Sequence, residues 1–315
     1  LSAWKGACFR MNNVTEQLLR LVADFKGSFK GAFNIREDGQ CAGRQSSEHI
    51  KITSKEDGKP GLDIRIDPGT KGETVYIPAC VTHSDVNDLV YNDFFVGADA
   101  DVVIVAGCGV HADNEGEARH NGIHGFFLEP GAHVLYQEKH IGTGTGSLKR
   151  IDPITDIYLK ENAILEMDTV QLRGVDVSER STTGKLEKGA KLIVRERILT
   201  DGKEWAKTVF DVSLDGEDCS ADVVSRSVAK GESYQEFVSS IRGNNRCTGH
   251  SACDAILADH GRVNAQPALD ATHLDAQLIH EAAIGKIAGE QLLKLETLGL
   301  TAEEAEERII AGFLK

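Results

Sequence analysis

The segment LIHEAAIGKIAGEQ, residues 278–291, begins as a zinc-protease helix would, with His280 followed at once by Glu281. An HExxH helix places two imidazoles one turn apart on a metal and uses the glutamate as general base. Here the fifth position is Ile284, so such a helix would supply a single imidazole and the pattern fails as a zincin. His280 and Glu281 remain usable in a ligand set completed by other parts of the chain. The plainer reading has His280 capping or packing a last coil where strand gives way to helix. Further ligand-type residues crowd the same end: Cys247, His250 and Cys253 in CTGHSAC, then Asp254, Asp259, His260 and His273. Thiolate and imidazole suit zinc or iron. Three such residues in one loop lack a fourth ligand, and single cysteines are often small core residues. Spacing leaves both readings open.

Two earlier stretches raise the same question. In HNGIH, His120 and His124 face one side if the segment is extended, and His111 is close in sequence. They make either a metal site or a polar loop on the flank of a larger fold. Cys108, in AGCGV, follows an apolar strand at a Gly-Cys-Gly corner and is either a reactive thiol or part of a tight turn. The Gly-x-Gly runs at 107–109 and 142–146 do not continue into GxGxxG, and no GxxxxGK[ST] occurs. That argues against a nucleotide hydrolase.

The elements that must position these residues fall into three regions: 1–29 with a short helix, 30–277 rich in strands, and 278–315 helical. In 14–25, Leu18, Leu19, Leu21, Val22 and Phe25 follow helical spacing. The middle region then repeats one unit. VGADADVVI, EPGAHVLYQE, KENAILEMD and EKGAKLIVRE each run from a small turn residue through Ala to an apolar strand, with alanines at 98, 132, 163 and 190. Irregular spacing around a fixed turn-then-strand unit is expected of a solenoid whose coils carry insertions. Gly or Asn at the corner permits positive φ, and Ala behind it fits where coils stack closely. The fold expected is therefore mainly β, a right-handed parallel β-helix, with an antiparallel sandwich as the rival; Asn121-Gly122 and Asp201-Gly202 are hairpin signals in its favour. Strands continue through 253–275. From 278 the apolar period turns helical again, at Leu278, Ile279, Ile284, Ile287, Leu292, Leu293 and Leu295. Gly299 marks a helix end, and Thr301 with Glu304 reads as a capping box for a second helix over 302–314.

Composition narrows the function. The 315 residues carry a net charge of −14 and show no basic stripe, which argues against nucleic-acid binding. No apolar stretch is long enough to span a bilayer. The opening LSAWKGACFRMNN lacks the basic-then-apolar order of a secretory signal. Seven scattered cysteines, an odd number with no CxxC, suggest a reducing cytoplasm rather than a disulfide framework.

The C-terminal 60 residues carry a resemblance. Cys253-Asp254, Pro267, His280-Glu281-Ala282, Gly285-Lys286-Ile287, Glu290-Gln291-Leu292, Gly299-Leu300 and Gly312-Phe313 occur in the order found at the C-terminus of the SufB/SufD family of iron–sulfur cluster assembly proteins. The chain resembles that family from about residue 30 onward, weakly in the middle, and the family's β-helix core agrees with the solenoid pattern. The resemblance implies a scaffold, not an enzyme, that works with a SufC-type ABC ATPase and holds a nascent iron–sulfur cluster at a dimer interface. It implies Cys253, His280 and Glu281 as cluster and metal ligands, with Cys247 and Cys108 as further candidates. His280-Glu281 is SufB-like, and the terminal helices of 278–315 match the region that docks the ATPase. The long N-terminal extension of larger SufB proteins and the usual continuation after Gly-Phe are missing, which suggests a short SufB-like form acting as a homodimer or with a SufD-like partner. The rival functions are a carbohydrate-active enzyme or acyltransferase on a β-helix, and a binding module whose ligand-type residues are structural.

Overall fold

In a computed structural model, residues 11–146 and 148–315 are described. Cys8 and the start of the expected N-terminal helical segment lie outside them. The first element is helix α1 (Asn13–Ala23), whose N-cap Asn12 side chain accepts a hydrogen bond from the Thr15 N–H at 2.7 Å. Six short strands follow: β1 (Ala32–Glu37), β2 (Gln40–Gln45), β3 (Ile50–Ser54), β4 (Gly61–Ile66), β5 (Lys71–Tyr76) and β6 (Ala79–Val81). The coils then lengthen through β7 (Val86–Val96), β8 (Asp101–His111), β9 (Glu117–Leu128), β10 (His133–Thr143), β11 (Leu148–Ile151), β12 (Ile154–Leu159) and β13 (Ile164–Leu172). The series ends with β14 (Val177–Leu186), β15 (Lys191–Thr200), β16 (Trp205–Leu214), β17 (Cys219–Ala229), β18 (Tyr234–Gly243), β19 (Cys247–Leu257), β20 (Arg262–Ala271) and β21 (Ala276–Lys286). Helices α2 (Gly289–Glu296) and α3 (Ala302–Phe313) close the chain.

These strands wind into a parallel β-solenoid. One sheet runs β2-β1-β5-β8-β10-β13-β15-β17-β19-β21, and the other runs β20-β18-β16-β14-β11-β9-β7-β4-β3. Among the described strands, only the pairs β1–β2 and β3–β4 at the N-terminal end are antiparallel. The antiparallel sandwich is therefore excluded for the body of the molecule. Along each strand alternate side chains turn inward, as in β16, where every second residue is buried. The inward sets of the two sheets share one core that runs from Ala32 to Cys253.

The repeated corner is real, with one correction of register. Ala100, Ala132, Ala163 and Ala190 are fully buried and stack coil on coil. The N–H of each following residue bonds the alanine carbonyl of the coil before: His133 to Ala100 at 2.7 Å, Ile164 to Ala132 at 2.8 Å, Lys191 to Ala163 at 2.9 Å. The first member of the series is thus Ala100, not Ala98. The corner residues before the alanines, Asp99, Gly131, Asn162 and Gly189, have φ of 55°, 70°, 57° and 64°. Aspartate tolerates this left-handed region as asparagine does. The corner needs that conformation, and not glycine in particular.

At the C-terminus the expectation changes more. Residues 278–286 are strand, not helix: β21 pairs in parallel with β19 from Cys247↔Ala276 to Leu257↔Lys286. Leu278, Ile279 and Ile284 fit a helical period, but the exposed edge of β19 offers eleven residues of backbone pairing. Long-range pairing of that kind overrides local propensity, and Gly285 further weakens a helix there. The helices are α2 and α3. Thr301 and Glu304 do form the capping box, and Gly299 has φ of 98°. Helix α3 buries Ala305 and Ile310, with Ile310 against Leu199 and Val228 of the solenoid, and Glu306 meets Lys230 at 2.6 Å. Thr301→Ala removes the side-chain acceptor for the Glu304 N–H; it is expected to cost about 1 kcal/mol. Amide hydrogen exchange should speed up in the first turn of α3 while β19 and β21 stay unchanged.

Candidate functional site

The last two strands of the first sheet carry the ligand-type residues that the sequence singled out. Strand alternation, not a loop, places them. In β19, Cys247 and Cys253 turn inward and are buried, whereas His250 points outward. Burial pushes the Cys253 thiol up to about 12, and the neighbouring Glu196 and Asp254 charges add to the shift. In β21, His280 lies opposite Ser251 on the inner side, and Glu281 lies opposite Ala252 on the outer side. The two halves of the His-Glu pair therefore face opposite ways. Nδ1 of His280 is buried without a hydrogen-bond partner, and burial, with His250 next, lowers its pKa. Outside, Glu281 Oε2 stands 3.7 Å from His250 Nε2, and His250 Nδ1 is 2.8 Å from Asp222. Asp259 occupies a positive-φ turn, and His273 sits in another turn beside Asp275. The structure thus brings Cys253 and His280 to the inner side of one strand pair. It sets His250 and Glu281 together on the outer side.

A second assembly lies deeper, and most of its members were not among the residues that the sequence singled out. Val134, Tyr136, Glu138 and His140 share one face of β10, and all four are buried. Residues i, i+2 and i+4 of a strand point the same way, so the polar residues follow the apolar ones inside. Glu138 Oε2 lies 2.6 Å from Arg180 of β14, which reaches across the interior from the other sheet. Tyr136 donates to Glu138 Oε1 at 2.8 Å. Its hydroxyl then has only acceptor capacity left for His124 Nδ1 at 2.9 Å, which assigns the His124 proton to Nδ1. Arg180 Nε is also 3.7 Å from Glu196, whose oxygens accept from Thr208 at 3.0 Å and Ser225 at 2.8 Å. Burial alone would raise the Glu138 carboxyl, but Arg180, then His140, pull it well below the usual carboxylate range. Glu196 moves the other way, raised by burial that Arg180 only partly offsets. In strand register, Glu138, Thr169, Glu196, Ser225 and Cys253 occupy successive coils of the first sheet, one inward polar column.

Next to this column, His120 Nδ1 is 3.0 Å from Asp88 Oδ2, and Arg36 Nη2 is 2.7 Å from Asp88 Oδ1. Burial would raise Asp88, yet hydrogen bonds from His120 and Arg36 bring it down to about 2. The HNGIH stretch is therefore the middle of β9, with His120 and His124 buried inside the solenoid, and not a loop on its flank. They do face the same side. His111 is apart from them, outward beside Asp113 at 2.7 Å. Cys108 is likewise no corner. It is an inward residue of β8, while the flanking glycines face out beneath α1. A Cβ on Gly107 would stand 2.5 Å from the Val22 carbonyl oxygen, and one on Gly109 2.9 Å from Leu18. The two glycines let the helix lie on the strand. Burial raises the Cys108 thiol well above its ordinary value, with Glu138 adding. The residues missed by sequence reasoning were Glu138, His140, Arg180 and Glu196. The available signal was parity: Glu138 and His140 share the phase of Val134.

The solenoid from β8 onward and both C-terminal helices lie within a stretch that matches a described family. The family described as "SUF system FeS cluster assembly, SufBD core domain" matches residues 88–313. The chain belongs to this SufBD family, a family of iron–sulfur cluster assembly. An iron–sulfur cluster assembly SufBD family protein of Archaeoglobus fulgidus is 28% identical over 274 residues, covering 86% of this chain and 72% of that protein. One from Methanothermobacter thermautotrophicus is 29% identical over 262 residues, 81% of this chain but only 62% of the relative. One from Methanocaldococcus jannaschii is 23% identical over 292 residues and covers 90% of each chain. The chain thus spans less than two thirds of the second relative. Among the described residues, no helix is long and apolar enough to cross a membrane.

Proposed function

We propose that this chain is a scaffold of the SUF system that holds a nascent iron–sulfur cluster at its last coil, in a dimer interface, and works with a SufC-type ABC ATPase. The observation that carries the reading is the convergence of Cys253 and His280 on the inner side of β19 and β21, at the end of a SufBD solenoid. Glu281, on the outer side, joins the ligand set when the final strand meets a second chain. Cys247 faces inward on the same strand, whereas Cys108 lies five strands back in the sheet and is not part of this set. The end of the solenoid favours a partner. β20 and β21 terminate their sheets, and a free strand edge is a template for pairing with another chain. Leu274 and Ile279 are exposed beside that edge. The second chain is another copy or a SufD-like protein. For the ATPase, 278–315 offers helix α2, which buries no residue and exposes Leu293. A mixed set of thiolate, imidazole and carboxylate holds a cluster less firmly than four thiolates, which suits a scaffold that must release its cargo.

Anaerobic reconstitution with ferrous iron and sulfide tests this. The parent protein is expected to acquire the visible absorption of a cluster, and Cys253→Ser to lose most of it. A Cys253→Ser protein that behaves like its parent would remove the site assignment. Separately, Leu293→Asp is expected to abolish co-purification with a SufC-type ATPase without changing the circular dichroism.

A further inference from the structure

We propose that Cys108, Glu138 and His140 form a binding site for a single divalent borderline metal ion, Zn2+ or Fe2+, inside the solenoid and distinct from the cluster site at the last coil. The proposal goes beyond the scaffold reading and does not depend on it. Among the described residues, this is the one group of three His, Cys, Asp or Glu side chains whose ligand atoms all lie within 4.8 Å of one another. All three are buried. Two of them, Cys108 and His140, are register partners on adjacent coils, and Glu138 is two residues from His140 on the same face. Side chains on stacked strands are held by the backbone ladder, so the geometry is preformed.

Three details point to a cation. First, His140 Nε2 has no hydrogen-bond partner, although its side chain is completely buried. A buried nitrogen left unpaired is costly, and it is aimed at the Glu138 carboxylate. Second, that Nε2 stands 3.3 Å from Glu138 Oε1 without hydrogen-bond geometry. With metal–ligand bonds of ~2.0–2.1 Å, the edge of a tetrahedron is about 3.3 Å, so the pair is already spaced as two ligands of one ion. Third, Glu138 and Glu196 share a single guanidinium, Arg180. A divalent ion that replaces the Cys108 proton adds one positive charge and balances the second carboxylate.

The donor set selects the metal. Thiolate with imidazole and one carboxylate suits zinc or ferrous iron and not magnesium or calcium. Three protein ligands leave the fourth tetrahedral position open. A cavity of about 10 Å3 reaches Cys108 from the side of His120 and His124, room for one water molecule. Binding at Nε2 moves the ring proton to Nδ1 and gives up the contact from Arg180, which at 3.4 Å is already long. Cys253 lies in the Glu138 column four coils further on, about 19 Å away at ~4.8 Å per coil. The two sites share no ligand.

Co2+ and Zn2+ titration of the chelator-treated full chain, without sulfide, tests the proposal. One equivalent is expected to bind, and cobalt to show tetrahedral ligand-field bands with a thiolate charge-transfer band. Cys108→Ser is expected to lose the charge-transfer band, and His140→Gln to weaken binding roughly tenfold or more. Cys253→Ser is expected to bind cobalt as the parent does, whatever it does to cluster reconstitution. X-ray absorption of the zinc-loaded parent needs no variant; one sulfur at about 2.3 Å with the remaining ligands N or O is expected. No stoichiometric binding, a zinc shell with no sulfur or several, or a charge-transfer band that survives Cys108→Ser and disappears in Cys253→Ser would each overturn it.

Discussion

Replacing Arg180 with methionine is expected to destabilise the middle of the solenoid by about 3–5 kcal/mol, the cost of leaving buried carboxylates without their cation. Arg180 is buried among Glu138, Glu196 and His140, and its guanidinium is the shared counter-charge of both carboxylates. The attraction itself is not the source of the loss. Removing one partner strands the other charges in a low dielectric, where they must either stay ionised at high cost or take up protons. The triple variant Arg180→Met, Glu138→Gln, Glu196→Gln is therefore expected to recover a substantial part of the loss. A stacked-coil protein unfolds with nearest-neighbour cooperativity, so amide exchange in β10, β14 and β15 is the direct readout, with guanidinium melts alongside. A loss below about 1 kcal/mol for Arg180→Met, the range of an exposed ion pair, would show that water reaches this network.

Acid should weaken the fold well before the ordinary carboxylates protonate. Burial lowers the pKa of His124 from 6.5 to about 4. A histidine depressed in the folded state takes up its proton more readily when unfolded, so its contribution is fully present above 6.5. It is lost as pH falls through the window from 6.5 to 4, about 3 kcal/mol in all. His140 is shifted in the same direction and adds to the slope. Asp88, held at about 2, loses its contribution only as pH falls from 3.8 towards 2, below this window. Glu196 and Glu204 are raised and work the opposite way. The comparison that isolates His124 is therefore between the parent and His124→Gln. The variant is less stable at neutral pH, because Tyr136 loses its imidazole donor, but its stability should fall less steeply between pH 6.5 and 4. Parallel curves for the two proteins would mean that His124 is not buried neutral.

Much of the architecture was legible because it is written locally. The corner residues Gly131, Asn162 and Gly189 announce positive φ, and the buried alanines behind them announce close stacking. Thr301 with Glu304 announces a helix start through hydrogen bonds that span three residues. The C-terminal order from Cys253 to Phe313 carried the family. What stayed illegible depends on partners distant in sequence. Residues 278–286 read as helix because their apolar spacing permits it, and only the free edge of β19 makes them strand. That one change turns His280 and Glu281, neighbours in sequence, to opposite faces of a sheet. Cys108 read as part of a corner because glycines usually mark turns; here Gly107 and Gly109 make room for α1, packed from some ninety residues upstream.

The interior charges show the same division. Sequence patterning assigns polar residues to solvent by default, since burying an ion without a partner is prohibitive. Glu138 and His140 break that default only because Arg180, forty residues later, arrives from the opposite sheet to meet them. The amino-acid sequence by itself determined a stacked-coil β protein with a capped last helix and a SufBD signature. Tertiary structure alone decided which polar residues lie inside, because inward and outward differ by one residue of register, and register is set by the coil above and the coil below.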